Sequence, residues 1–548
     1  MTVPAAPSAN HGNRTRRRYG LAVVAVGIGL ASATGHDVAW ADTGDSGSSE
    51  NTSVHSSSGP VSGPKKSAHD GGSDQSGSPT KKTRPASGAA SIDIGATSAA
   101  PQQESSSAHR KTSARAPKLT GPTRIESAES TEPESLAYPA TVSTLSPRRA
   151  ARTHAAAATP TSTTVTPSDP EPLSPIAEIA ALPGRIVNTV LQVLDLTVTA
   201  DEPPSPLNFA PIDEALFAAF RRIEGALGLD DTPPVVLVPP TEIYTGPTTT
   251  ATPTVEQFLN AAAAGYVLGG TPGGMKPFTV DGVQITSTNI LSGESAQVWV
   301  TPQKQIIIAY QGTTGGTNLL FNPLIAVSQI VTDTQIIFTD TTPQAFHDAL
   351  AFEQQVEAAA AEQGYSKSDI FVTGHSLGGW EAEYVAQQTG LGGIGFESPG
   401  INTTVPGNGV NSGFLNVETY GDPAAYFATD LPGLQPFMPA YVPGGGSKPH
   451  YGSIVMIGDP AAMFPLINAS SLWGSNLVGD LIFAVDLLGN FVEHHLPGMQ
   501  AYNLGVSPDP GVVPWLGSTM GPVNDGWGDL TIPELALAAS AAGVLFTP

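Results

Sequence analysis

The stretch from Asp369 to Gly390 constrains the fold more than any other part of the sequence. Asp369-Ile370-Phe371-Val372 is a short apolar run, bounded upstream by Tyr365-Ser366-Lys367 and downstream by Gly374, which predicts a buried strand. From Trp380 onward Ala382, Tyr384, Val385 and Ala386 suit a helix ending at Gly390. Between them lies Gly374-His375-Ser376-Leu377-Gly378-Gly379, a G-x-S-x-G pattern. A serine at the apex of so tight a turn forces the strand and helix backbones together, leaving no room for side chains two positions either side. The segment therefore predicts an α/β architecture with Ser376 presented at the end of a strand.

A serine in that position acts as a nucleophile only with a base, an orienting acid and donors for an oxyanion. In this kind of fold the chain order is serine, acid, histidine. Two strands are predicted downstream, Gly393–Phe396 leading to Glu397-Ser398-Pro399-Gly400, and Phe414–Tyr420 leading to Gly421-Asp422-Pro423. Asp422, just past the end of a strand, is the candidate acid, with Glu397 and Asp430 as rivals. Four histidines compete for the base. His375 precedes the serine, and His450 leads straight into the strand Ser453–Ile457. His494 and His495 come late, after a helical stretch from Leu472 to Val492, and suit the role. Glu493 beside this pair could suggest a metal site, but no H-E-x-x-H motif or second ligand cluster accompanies it. No metal and no organic cofactor is expected. Upstream, the buried-strand run Gln305–Tyr310 ends in the Gly-rich turn Gln311-Gly312-Thr313-Thr314-Gly315-Gly316. That turn places a backbone N–H near the one that follows the nucleophile, on Leu377.

On these residues the chain from about 255 to 505 resembles the class 3, fungal-type lipases of the α/β-hydrolase fold. Ile306 to Thr313 matches that family's strand and R-G-[ST] turn, Ala345-Phe346-His347 the start of the helix before the elbow, and Gly374 to Gly379 the elbow. Phe396-Glu397-Ser398-Pro399 matches its F-G-S-P, Gly421-Asp422-Pro423 its acid turn, and His450-x-Gly452 its structural H-x-G. The resemblance implies Ser376 as nucleophile, Asp422 as acid, His494 or His495 as base, and Thr313 with Leu377 as oxyanion hole. His495 is favoured because the family's base is typically followed by Leu. Gln311 stands where the family has Arg, and Trp380-Glu381 replaces small and apolar residues.

The implied activity is carboxylester hydrolysis, with neutral acyl esters such as acylglycerols as substrates. Apolar residues 319–325 and 431–442 are expected as exposed loops facing a lipid interface. A cutinase-like or short-chain esterase, and a non-catalytic surface protein that binds lipid, are the alternatives.

The remaining sequence is of another kind. Of the 24 basic residues 17 lie at or before Arg152, with 12 of the 48 acidic ones, so that part carries +5 and the rest −29. Such acidity excludes a phosphate-neutralising, nucleic-acid-binding role, and the absence of cysteine excludes disulfides and thiol chemistry. Arg14, Arg16, Arg17 and Arg18 precede an apolar Leu21–Ala33 too short to span a bilayer, and Ala39-Trp40-Ala41 offers a cleavage site. Residues 1–41 are therefore expected as a signal peptide, giving a secreted or cell-wall-associated protein. Residues 42–170, rich in Ser, Thr, Pro and Ala, are expected to be a disordered linker whose basic pairs could touch the cell envelope. Apolar residues at helical spacing predict a helical pre-domain over 171–245. The hydrolase domain is expected over 250–548.

Overall fold

The apolar runs form one nine-stranded mixed sheet in the computed structural model. It describes residues 167–548 except 235–237, 314–315, 318–322, 340, 439–447 and 520. The expected signal peptide and nearly all of the expected linker lie outside the described residues, as do most of 319–325 and the end of 431–442.

Seven strands make the main path: β1 (Ser295–Val300), β2 (Ile306–Tyr310), β3 (Ile370–His375), β4 (Gly392–Phe396), β5 (Phe414–Thr419), β6 (Ser453–Ile457) and β7 (Leu545–Phe546). They lie side by side in chain order, with Lys276–Pro277 and Thr286–Thr288 pairing on β1. Strands β2 to β6 are mutually parallel, while β1 and β7 run antiparallel at the two sides. Parallel strands need helical crossovers that cover both sheet faces, so their side chains are buried on both sides. That is why Ile306-Ile307-Ile308 reads as a continuous apolar run: Ile306 and Ile308 face one core and Ile307 the other.

The helices divide between those two faces. In chain order they are α1 (Pro175–Val193), α2 (Ala210–Leu227), α3 (Val255–Ala264), α4 (Pro323–Phe338), α5 (Gln344–Glu362), α6 (Leu377–Thr389), α7 (Met463–Leu472), α8 (Leu477–His494), α9 (Pro497–Asn503) and α10 (Ile532–Ala542). Phe346, Ala349 and Val356 of α5 and Trp380 and Val385 of α6 pack on one side. Phe258 and Leu259 of α3 and Leu535 and Ala536 of α10 pack on the other. The layered α/β class expected from the elbow is the class observed.

Several boundaries and exposures differ from expectation. Helix α6 begins at Leu377, directly after the serine, rather than at Trp380. The stretch from Leu472 to Val492 is not one helix: Trp473-Gly474-Ser475-Asn476 interrupts it, and Asn476 caps α8 by accepting from Val478 and Gly479 N–H. The apolar run after the acid is not an exposed loop over its described part. Leu431, Leu434, Phe437 and Met438 are buried, because Phe437 is held between Trp473 and Phe483 with ring centroids 5.1 and 5.0 Å away. Helices α1 and α2 lie within 171–245, and α2 lies along α8. Arg221 pairs with Glu493, Asn490 Nδ2 donates to Glu224 Oε1 at 3.2 Å, and the Phe220 ring sits on Gly489, where a Cβ would collide. Thr197–Val198 pairs with Gly511–Val512.

Candidate active site

The residues singled out in the sequence gather at one edge of the sheet, beyond the C-terminal ends of β2 to β5. In an α/β sheet this edge is open, because crossover connections leave it to loops. Ser376 follows β3 with φ 59° and ψ −124°, a backbone conformation costly for a residue with a Cβ and the one an elbow imposes. Its neighbours permit it: a Cβ on Gly374 would lie 2.1 Å from the Gly378 carbonyl oxygen, and one on Gly378 would lie 2.1 Å from the Tyr310 oxygen. Strand β2, strand β3 and helix α6 are thus in backbone contact beneath the serine. Leu377, the first residue of α6, has its N–H among those that a helix start leaves without an intrahelical partner.

Asp422 lies three residues past β5, in a turn set by Gly421 at φ 92°. It is fully buried. Its Oδ1 accepts the Ala424 N–H at 3.0 Å and its Oδ2 meets His495 Nδ1 at 2.7 Å. His495 caps the C-terminus of α8, and its ring is stacked on Phe491 at 4.1 Å between centroids. With Nδ1–H donated to Asp422, the tautomer leaves Nε2 as an acceptor. Burial pushes the Asp422 carboxyl up to about 7, opposed by hydrogen bonds, and pushes His495 down to about 4. His495 is accordingly a neutral imidazole at neutral pH, the form a general base needs. The structure brings acid and histidine together but forms no hydrogen bond between His495 and Ser376 Oγ. The His375 ring, next to the serine, lies 4.7 Å from the His495 ring.

The other candidates are accounted for by their partners. His375 accepts from the Tyr266 hydroxyl at Nδ1, 2.8 Å, and its Nε2 donates to the His495 carbonyl at 2.6 Å. Burial holds it well below the usual range. It fixes the backbone of His495 and has no nitrogen to spare. His450 and Asp430, two rivals for the site, pair with each other: Nδ1 meets Asp430 Oδ1 at 2.8 Å and Nε2 donates to the Ser398 carbonyl at 2.7 Å. Among the described residues His494 makes no such pair. Its ring lies against Gly421, where a Cβ would be 2.8 Å from Cδ2. Glu493 is committed to Arg221, and among the described residues no group of three His, Asp or Glu is arranged as metal ligands.

Thr313 follows β2 and donates its hydroxyl to Asp333 Oδ2 at 2.8 Å, on helix α4. Burial pushes Asp333 up to about 7. The hydroxyl thus anchors the turn to α4. Glu397, the remaining rival for the acid, follows β4 at φ 48° and is held by the Thr419 hydroxyl and N–H and by Gln500 Nε2 at 2.7 Å. Tyr266, Asp333 and Gln500 carry contacts at the site that no motif marked. Their partners lie 109, 20 and 103 residues away in the chain, so local pattern holds no signal for them.

No protein-family model matches the sequence, and no curated protein is similar to it. Among solved structures the chain is similar to the Rhizomucor miehei lipase in a native propeptide complex, at 14% identity and TM-score 0.26, over 42% of this chain and 86% of that one. It is also similar to the extracellular lipase LipA from Serratia marcescens, at 19% identity and TM-score 0.21, over 29% of each chain, so under a third of that enzyme is spanned. Likenesses this distant leave the site to be judged from its own residues.

Proposed function

We propose that this chain is a serine carboxylester hydrolase of the α/β-hydrolase kind, in which Ser376 attacks an acyl ester. One observation carries the reading: a buried Asp422–His495 pair 2.7 Å apart shares a sheet edge with a serine held at φ 59°. His495 takes the serine proton as Oγ bonds to the acyl carbon. The N–H groups of Leu377 and Thr313 receive the oxyanion. Asp422 holds the imidazolium until its proton passes to the leaving alcohol, and water then releases the acid by the same steps. These steps call on no metal or cofactor.

Neutral acyl esters are the proposed substrates, since only seven basic residues follow Arg152 and anionic headgroups would find little to bind. Exposed Leu324, Val327 and Val331 on α4, directly after the Thr313 turn, supply an apolar approach suited to acyl chains. The burial of Leu431 to Met438 removes one of the two apolar loops expected of a lipase and favours, as second reading, an esterase for short chains. The basic n-region and apolar Leu21–Ala33 support export, with a mature N-terminus at Asp42.

The deciding experiment is labelling with a fluorophosphonate, followed by hydrolysis of a p-nitrophenyl ester series. Wild-type protein should be labelled at Ser376 and Ser376→Ala should not. Absence of label on folded wild-type protein would leave a non-catalytic lipid-binding role. Activity extending to long chains supports a lipase, and activity confined to short ones an esterase.

A further inference from the structure

The last turn of α8 leads into His495, and part of what holds that turn comes from α2, far upstream in the chain. Helix α2 docks with its charged side inward: Asp213 and Glu224 are buried together with Phe217, while Ile212, Leu216, Ile223 and Leu227 face outward. Positions 213, 217, 221 and 224 recur at helical spacing, so Arg221 shares the inward face. Its guanidinium pairs with the buried carboxyl of Glu493 and donates from Nη1 to Ser518 Oγ at 3.2 Å. Glu493 stands two residues before His495.

Three backbone and side-chain contacts close the arrangement. Ser518 N–H donates to the Glu493 carbonyl at 3.1 Å, Gly517 N–H to Asp213 Oδ1 at 3.3 Å, and Asn490 Nδ2 to Glu224 Oε1 at 3.2 Å. Carbonyls in the last turn of a helix lack intrahelical partners, and Ser518 supplies one that α8 cannot. A cation beside that turn also complements the negative end of the helix. Helix α2 thus grips both α8 and the 517–518 segment, and Arg221 touches both.

We propose that Arg221 is a positioning residue for the base: through Glu493 and Ser518 it fixes the last turn of α8 and, with it, the direction of His495 Nε2. This inference rests on the reading of Ser376, Asp422 and His495 as a catalytic set. His375 holds the His495 carbonyl at 2.6 Å and Arg221 holds the residue two positions earlier, so the turn is fixed at two points. The serine proton still passes to His495 Nε2, and no bond to Arg221 forms or breaks. Placement is what Arg221 supplies, and a displacement of about 1 Å costs up to about 100-fold in rate. Burial pushes the Glu493 carboxyl up and the guanidinium opposes it. Without that cation a buried carboxylate must take up a proton or turn toward water, and the turn that carries it shifts. The helical segment ahead of the hydrolase domain is then a working part of the enzyme.

The test uses the full chain and compares Arg221→Met, Arg221→Lys, Glu493→Gln and the Arg221→Met/Glu493→Gln double variant with wild type. It reads kcat and KM for p-nitrophenyl butyrate per site titrated with fluorophosphonate, together with the urea midpoint. Arg221→Met should lose roughly ten-fold or more in kcat per labelled site with KM unchanged. Arg221→Lys keeps a cation within reach of Glu493 and should return to within roughly three-fold of wild type. Glu493→Gln should lose a factor similar to that of Arg221→Met, and the double variant no more than either single one, as for residues that act as a unit. Exposed Arg222 next door is the control, and Arg222→Met should match wild type. Should Arg221→Met not fold, Glu493→Gln, which leaves no carboxylate to strand, carries the same comparison. Wild-type kcat per labelled site in the Met or Gln variant, whatever its urea midpoint, overturns the proposal, as do losses that multiply in the double variant; either result leaves the catalytic reading standing. Wild-type protein that takes no label at Ser376 overturns both.

Discussion

Two Asp–His pairs with buried side chains stand among the described residues, and their ring nitrogens are used differently. In Asp430–His450 both ring nitrogens are committed, one to the carboxylate at 2.8 Å and the other to the Ser398 carbonyl at 2.7 Å. In Asp422–His495 the carboxylate takes Nδ1 at 2.7 Å, and among the described residues Nε2 has no hydrogen-bond partner. The first pair ties the loop after β5 to the segment after β4, with both ring nitrogens occupied. In the second, Phe491 and His375 pack against the His495 ring. On the proposed function, the pair that does the chemistry is the one with a nitrogen left unused.

The largest expected effect is at the serine. Ser376→Ala should lower kcat by about 10⁶, and His495→Ala by a similar factor, in hydrolysis of p-nitrophenyl butyrate. His450→Ala should stay within about ten-fold of wild type; an equal loss in the two histidine variants would erase the contrast. Next come the acids: Asp422→Asn should cost about 10⁴ in kcat by imposing the wrong tautomer, whereas Asp430→Asn should leave turnover nearly unchanged. Stability should show the reverse order. His450→Ala strands a buried aspartate and should cost roughly 3 kcal/mol in urea unfolding. Retention of full stability in that variant would show that the second pair is not a structural tie.

The smallest effect is the dependence of stability on pH. Burial raises Glu294, Asp333 and Glu353 to about 7 in the folded protein. A carboxyl raised on folding binds more protons folded than unfolded, so its contribution is fully present below its unfolded value and is lost as pH rises through about 7. His494 and His495, lowered to about 4, act in the opposite sense, but only between about 4 and the unfolded histidine value near 6.5. Above that only the carboxyls remain, and the melting temperature should fall by a few degrees from pH 6.5 to 8. A melting temperature that rises over this interval would contradict the assignment of these carboxyls as buried and protonated.

Much of the fold was legible because its causes are local. The elbow could be read from six residues, since the collision that excludes a side chain at Gly374 is with Gly378, four positions on. The run Ile306–Tyr310 announced a doubly covered strand by its unbroken apolarity. Exposure was less legible. Leu431 to Met438 reads as an apolar loop, and only the aromatic cluster of Phe437, Trp473 and Phe483, drawn from three separate segments, buries it. Helix α1 went the other way: Asn188 and Gln192 are buried while Ile176, Ile179 and Ile186 face outward, against the usual sense of an amphipathic pattern.

The sequence by itself determined that a serine would be raised on a strand–helix turn, that an acid would follow a later strand, and that a histidine pair would come last, because each follows from sterics or chain order. Only the tertiary structure decided which members join. Asp422 rather than Asp430 meets His495, His495 rather than His494 turns toward it, and Glu397 is held by Thr419 and Gln500 instead. Hydrogen-bond partners 20 to 109 residues apart are chosen by how the strand ends are packed side by side, and that packing is a property of the whole sheet, which no short motif contains.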